Sequence, residues 1–316
     1  MVSDVSDFPF SYSECLAPTT LSRIPEKLKI NGSHDPEILL IIRLLSGAIT
    51  LEHKYSLVKI LQKENYFLAN FQGYAQYWDR DFPKLIGENY SAEQLSHFVD
   101  SQRFINRSFY KNILSELSYF FYYQKKQAHS SAFIFLYRAL EHISYALPLI
   151  YVSKTDDFKS TFDSLKRLMI KNPGELGFFK KFIDTVYQND SIRESSVDFD
   201  ISLTTEIEQR NMFNLLYGLC KPAIIADSTE DPRKLSIKYT EVGCFLITIR
   251  NRFFHYTNGQ DNIESSNIAD IDVLFSLTNK KFLYWISTIF LAVISHNAIQ
   301  FENITTQIAQ QQNRTQ

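Results

Sequence analysis

Apolar residues recur at helical spacing through most of this chain, in long runs separated by short polar breaks. The run ILLIIRLLSGAITLEHKYSLVKILQ, from Ile38 to Gln62, predicts two helices, or one with a weak point at Gly47. Asp35-Pro36-Glu37 marks its start, with a cap, a proline in the first turn and an acid near the positive dipole end. Residues 1–34 lack periodicity and read as an irregular arm. Residues 72–90, with Gly73, Pro83 and Gly87, read as a connection. Ser91 and Gln94 form a capping box that opens a long helical region ending at Lys125-Lys126. The stretch SSAFIFLYRALEHISYALPLIYV at 130–152 is apolar almost all round, which predicts a buried helix.

Further on, Asp156-Asp157 caps the run FKSTFDSLKRLMI, and Asn172-Pro173-Gly174 ends it before a helix from Glu175 to Tyr187. VDFDISL at 197–203 alternates and predicts a short strand or extended segment. Thr205 and Glu208 form a second capping box, opening a helix to about Cys220. PAIIADSTEDPRK then reads as a loop. From Leu235 the chain approaches a helix, VGCFLITIRNRFFH, stopped by Asn258-Gly259. A polar loop, GQDNIESSNIADID, follows and reads as a lid or part of a cleft. The last helix, Asn279 to about Gln307, turns Phe282, Trp285, Ile289 and Ile294 inward.

Composition sharpens this picture. Nine glycines and nine prolines in 316 residues argue against a loop-rich or all-β fold. Twenty-six Phe and eighteen Tyr suit helix interfaces filled by aromatics, and a self-association surface. The formal net charge of −2 gives no global support for nucleic-acid binding, which would need a local basic surface. Residues 153–185 hold the densest basic patch, and Lys125-Lys126 beside Tyr122 and Tyr123 is another place where RNA stacking and phosphate contact would fit. A solvated helix face and a core helix ending in lysines are the plainer readings of the two. Cys15, Cys220 and Cys244 have no metal or redox spacing and read as thiols of a reducing cytosol. The start is acidic, unlike a signal peptide, and the apolar run at 282–295 is too short to span a bilayer, so the expected setting is cytoplasmic with no membrane contact. No phosphate-binding loop, dinucleotide fingerprint, zinc-protease motif or paired-cysteine motif is present, and no cofactor or metal is expected.

The chemistry-bearing stretch is RNRFFH at 250–255. On a regular helix Asn251 and His255 share one face, and Arg252 and His255 are neighbours. Arg250 points about 140° away from His255, within reach of a long side chain. His255 sits near the negative end of the helix dipole, which favours its charged form and suits it to moving protons. The competing reading is a structural helix end, with Arg252 paired to an acid and His255 capping carbonyls.

Arg-Asn-x-x-x-His at the end of an apolar helix, followed by a turn and a second long apolar helix, resembles the signature of the HEPN superfamily. The 130–152 stretch is similar to the opening helix of such domains. The resemblance covers about 130–310 and implies an all-α fold: a HEPN-like helical domain over 91–316 with an inserted helical segment at about 153–235, preceded by an N-terminal helical region at 1–90 of unknown role. It implies a metal-independent endoribonuclease of toxin or antiviral-defence type. Arg250 would hold the phosphate, Asn251 would orient it, and His255 would carry a proton. On the 130–152 helix, Glu141 or Arg138 would orient them, with Arg252 in support. One motif supplies one histidine, so the resemblance implies a homodimer, besides the RNA substrate and a neutralising or regulatory protein partner. The alternatives are a non-catalytic module of the same kind, binding RNA, nucleotide or a partner protein, and an antitoxin-like or sensor subunit binding its partner through residues 1–100.

Overall fold

Antiparallel strands, not only helices, build this chain. The computed structural model describes residues 8–32, 34–154, 157–171, 182–184, 187, 191–254, 262–263 and 270–314. Among these it holds two three-stranded antiparallel sheets, so the fold is mixed α/β and helix-rich, and the all-α expectation is corrected. The chain divides into two units, residues 1–126 with 287–316, and residues 127–286.

The first unit contains β1 (Phe10–Ser13), α1 (Pro18–Leu21), α2 (Glu37–Leu45), β2 (Ile49–His53), β3 (Val58–Gln62), α3 (Trp78–Asp81), α4 (Ala92–Ser101) and α5 (Arg107–Lys125). Residues 49–62, expected as helix, form the β2–β3 hairpin, with Ile49 opposite Gln62 and His53 opposite Val58. Gly47 makes the switch. Its φ of +72° ends α2 in the left-handed region, and an added Cβ would lie 2.5 Å from the Lys63 carbonyl. The arm expected to be irregular supplies β1, which pairs with β2 through Phe10 opposite His53. Asp35 does not cap α2. Its carboxylate accepts from the Asn31 and Gly32 N–H groups, and Pro36 occupies the cap position. The capping box of Ser91 and Gln94 forms as expected.

Glu14 and Arg43 tie this unit together. Arg43 is fully buried, its Nε donates to the Ala48 carbonyl at 2.8 Å, its Nη2 meets Glu14, and its guanidinium lies 4.9 Å from the Trp78 ring. Burial pulls the guanidinium pKa down, and Glu14 opposes that most strongly. The Glu14 carboxylate also accepts from the N–H groups of Cys15, Leu16 and Ile30.

The second unit contains α6 (His129–Ser144), α7 (Ala146–Ser153), α8 (Phe158–Lys171), β4 (Ser196–Asp200), α9 (Glu206–Gly218), β5 (Ile225–Glu230), β6 (Arg233–Lys238) and α10 (Val242–Phe254). The last helix, α11 (Ile271–Arg314), gives its part up to Ile286 to this unit and the remainder to the first. The alternating 197–203 segment does contain a strand, β4, which pairs with β6 through Val197 opposite Ile237 and Phe199 opposite Leu235. The expected loop 222–234 instead folds into β5, the following turn and the start of β6. Thr205 and Glu208 form their capping box, and Asp157 accepts from the Ser160 N–H at the start of α8. The expected helix at 175–187 falls largely outside the described residues.

Phe199, Phe245 and Phe282 pack ring to ring at 5.2–5.8 Å, joining β4, α10 and α11. Trp285 adds an anchor by donating from Nε1 to the Tyr239 carbonyl at 2.9 Å. The apolar run 282–295 belongs to a much longer helix, so its length does not exclude a membrane span. Phe282, Trp285, Ile289 and Ile294 are all buried inside the fold, as expected of a core helix. By length and composition alone, α11 and the α6–α7 stretch are long and apolar enough to cross a membrane.

Candidate functional site

The last turn of α10 carries Arg250, Asn251 and Arg252. Upstream, Val242, Phe245, Leu246 and Ile249 are buried and fix the roll of the helix. Downstream, Phe253 and Phe254 lock its end. Phe254 lies parallel to Phe133 of α6 at 6.0 Å, and Phe253 meets Phe275 of α11 at 5.2 Å. Phe275 in turn packs on Phe133 at 4.7 Å. Three helices thus converge on five rings, counting Phe282, which lies 6.1 Å from Phe133. Such ring pairs contribute about 0.5–1.5 kcal/mol each beyond their area burial.

That anchoring positions the arginines. Arg250 is half-exposed, and its guanidinium lies 4.8 Å from the centre of the buried Tyr137 ring on α6. Its Nη1 donates to Asn251 Oδ1 at 2.9 Å, while Asn251 itself is exposed. A ring beneath and an amide beside hold the guanidinium with its remaining donors available to an incoming anion. Arg252 is half-buried. Its Nη1 is shut off from solvent, and the described residues offer it no hydrogen-bond partner. The Arg252 carbonyl accepts from the Ile263 N–H at 2.9 Å, which fastens the returning chain to the end of α10.

The helix 130–152 divides at Tyr145 into α6 and α7, and the stripe Phe133, Tyr137, Leu140 and Ser144 is buried. On it Tyr137, which nothing in the helical pattern singles out from its apolar neighbours, meets Arg250. Arg138 is exposed, with its guanidinium 5.9 Å from the Phe135 ring, and Glu141 is half-buried. His255 lies outside the described residues, as does most of the polar loop that follows it. The start of α6 is satisfied from α11: Asp272 Oδ1 accepts from the Ser130 N–H at 2.6 Å, and Asn279 Nδ2 donates to the His129 carbonyl at 2.8 Å. Burial pushes the His129 imidazole pKa below its ordinary value, against the smaller pull of Asp272 and Asp270.

Of the expected basic patch, Lys154, Lys159 and Lys166 are exposed, while the side chains of Arg167, Lys171, Lys180 and Lys181 lie outside the described residues. Lys126 lies 4.9 Å from the Tyr122 ring. Hydrogen bonding between them raises the lysine pKa and lowers the tyrosine pKa. Among the described residues no group of three His, Cys, Asp or Glu side chains is placed to hold a metal ion. Compared with protein-family models, with curated proteins and with solved structures, the chain matches none.

Proposed function

We propose that this chain is a metal-independent endoribonuclease of the HEPN kind, acting in the cytoplasm as a toxin or antiviral-defence effector. One observation carries the reading. Arg250 is held over Tyr137 and against Asn251 at the half-exposed end of a well-anchored helix, one turn from His255 in sequence. RNA cleavage without a metal needs a cation to hold the phosphate as charge builds on it, and groups that take and give a proton. Arg250 supplies the cation, with Arg252 in support beside it. Asn251 orients the Arg250 fork. His255 takes the ribose 2′-hydroxyl proton or protonates the leaving 5′-oxygen. The 2′-oxygen then bonds to phosphorus as the bond from phosphorus to the 5′-oxygen breaks, leaving a 2′,3′-cyclic phosphate and a 5′-hydroxyl.

A second copy of the chain would bring the second proton carrier, so the active form is a homodimer in this reading. Uncontrolled cleavage would harm the host, so a neutralising or regulatory protein partner follows from it. The test is RNA cleavage by purified protein in EDTA, with His255→Ala and Arg250→Ala matched to wild type by circular dichroism. Cleavage by wild type alone, leaving cyclic-phosphate ends, supports the reading. RNA binding without cleavage by any of the three would replace it with a non-catalytic binding module. Equal cleavage by all three would show that these residues are not the site.

A further inference from the structure

The first unit contains a cavity of about 700 Å³ between β1, the 32–37 turn and the start of α5. That volume lies within the roughly 300–1,000 Å³ of small-molecule sites. We infer that this cavity is a binding site for a nucleoside phosphate, with the base on the aromatic residues of β1 and the phosphates against the basic face of α5.

The lining separates by chemistry. Phe8, Phe10 and Tyr12 supply an aromatic wall, with the Phe8 and Tyr12 rings 20° from parallel and 6.5 Å apart. The Tyr12 hydroxyl is already engaged with Ser118 Oγ at 2.7 Å, so this residue offers the cavity its ring. Arg103, Arg107 and Lys111 recur every fourth residue along the opposite side, and Lys54 adds a fourth cation from the β2–β3 turn. The two carboxylates in the lining offset these four cations only in part. Asp35 is occupied by the Asn31 and Gly32 N–H groups, and Glu37 by Arg107 Nε at 3.0 Å. Arg103 donates to the His34 carbonyl at 2.8 Å and pairs with Asp100 at 3.7 Å. Lys54 and Lys111 form no ion pair among the described residues. Phe104, 80% exposed, stands at the rim next to Arg103. An apolar ring left in water beside a cation suits a clamp on a flat, charged ligand. A fatty acid, with one charge, would leave Lys54 or Lys111 unmatched, and inorganic phosphate would leave the aromatic wall bare. A base joined to phosphates uses both, by stacking and by charge-assisted hydrogen bonds.

The inference stands apart from RNA cleavage, since the Arg250 site belongs to the second unit. Its test is calorimetric titration of the full chain at low salt with each of the four ribonucleoside triphosphates, the matching nucleosides and inorganic tripolyphosphate. At least one triphosphate should bind in the micromolar range, with its nucleoside and tripolyphosphate each at least about tenfold weaker. Lys111→Glu and Lys54→Glu should each weaken it by about fivefold or more with unchanged circular dichroism, and Arg250→Ala should leave it unchanged. Three results would overturn the inference: no triphosphate bound at about 1 mM, tripolyphosphate binding as tightly as the best nucleotide, or affinity insensitive to both lysine variants.

Discussion

Glu14→Ala tests the hub of the first unit. The substitution removes the anionic partner of a fully buried arginine and the acceptor for three backbone N–H groups, those of Cys15, Leu16 and Ile30. Arg43 is then left with the Ala48 carbonyl and the face of Trp78. Breaking one side of a buried ion pair costs about 3–5 kcal/mol. The Glu14 side chain is 19% exposed, so water softens the loss and the low end, about 3 kcal/mol, applies. A local opening free energy lowered by that amount speeds exchange by about 150-fold at 1.36 kcal/mol per decade. Hydrogen exchange read by mass spectrometry on the peptide covering residues 14–31 is therefore the assay, because it reports this unit without assuming that the whole chain unfolds in one step. The Leu16 and Ile30 amides should show the acceleration. Glu14→Gln, which keeps an acceptor oxygen for these N–H groups and for Arg43 and removes only the charge, should recover part of the protection. An acceleration under about threefold in Glu14→Ala, or a Glu14→Gln variant no better protected than Glu14→Ala, would refute the argument.

Three further outcomes follow from the geometry. Gly47→Ala should destabilise the first unit by about 2–4 kcal/mol, from left-handed backbone strain plus contact with the rigid Lys63 carbonyl, read as an earlier thermal transition. If the ribonuclease proposal holds, Tyr137→Leu should keep the fold yet weaken RNA cleavage about threefold to thirtyfold, the range of a cation–π contact, with Tyr137→Phe near wild type. The depressed His129 pKa makes the folded state prefer the neutral imidazole. Its contribution is whole above the ordinary histidine pKa of 6.5 and is lost as pH falls from there through the lower folded value. His129→Gln should therefore flatten the fall of melting temperature on acidification below that point.

Local chemistry was readable where it is self-contained. Ser91 with Gln94 and Thr205 with Glu208 form reciprocal caps within four residues, so sequence alone identifies them. The buried stripe of α6 and the inward set of α11 follow helical period and are also legible. The sheets were not. ITLEH and VKILQ are five residues each and follow directly on the helical run of α2, so their alternation is too short to displace the helix reading. Gly47 held the signal as a stop, but only its positive φ shows that the chain turns into a strand there. β1 needs β2 as its partner, and β5 with β6 is rich in Asp, Ser, Thr, Glu, Arg and Lys, a composition that reads as loop. At the candidate site the Arg250–Asn251 contact is adjacent in sequence, whereas the Tyr137 ring comes from more than a hundred positions earlier and no spacing announces it.

The capping of α6 by Asp272 has a consequence for how the protein is made. The residue that satisfies the Ser130 N–H lies 142 positions later, and the Asn279 amide that binds the His129 carbonyl lies 150 later. Phe133 likewise finds Phe275 and Phe282 only when α11 arrives. At about 5–20 residues per second, a ribosome takes about 7–30 s to cover that distance. Throughout that interval the start of α6 stays uncapped by Asp272 and its stripe lacks its partners on α11. Translation of the 150–270 region is therefore the period in which a nascent-chain chaperone matters most, and slow codons placed there would lengthen the exposure.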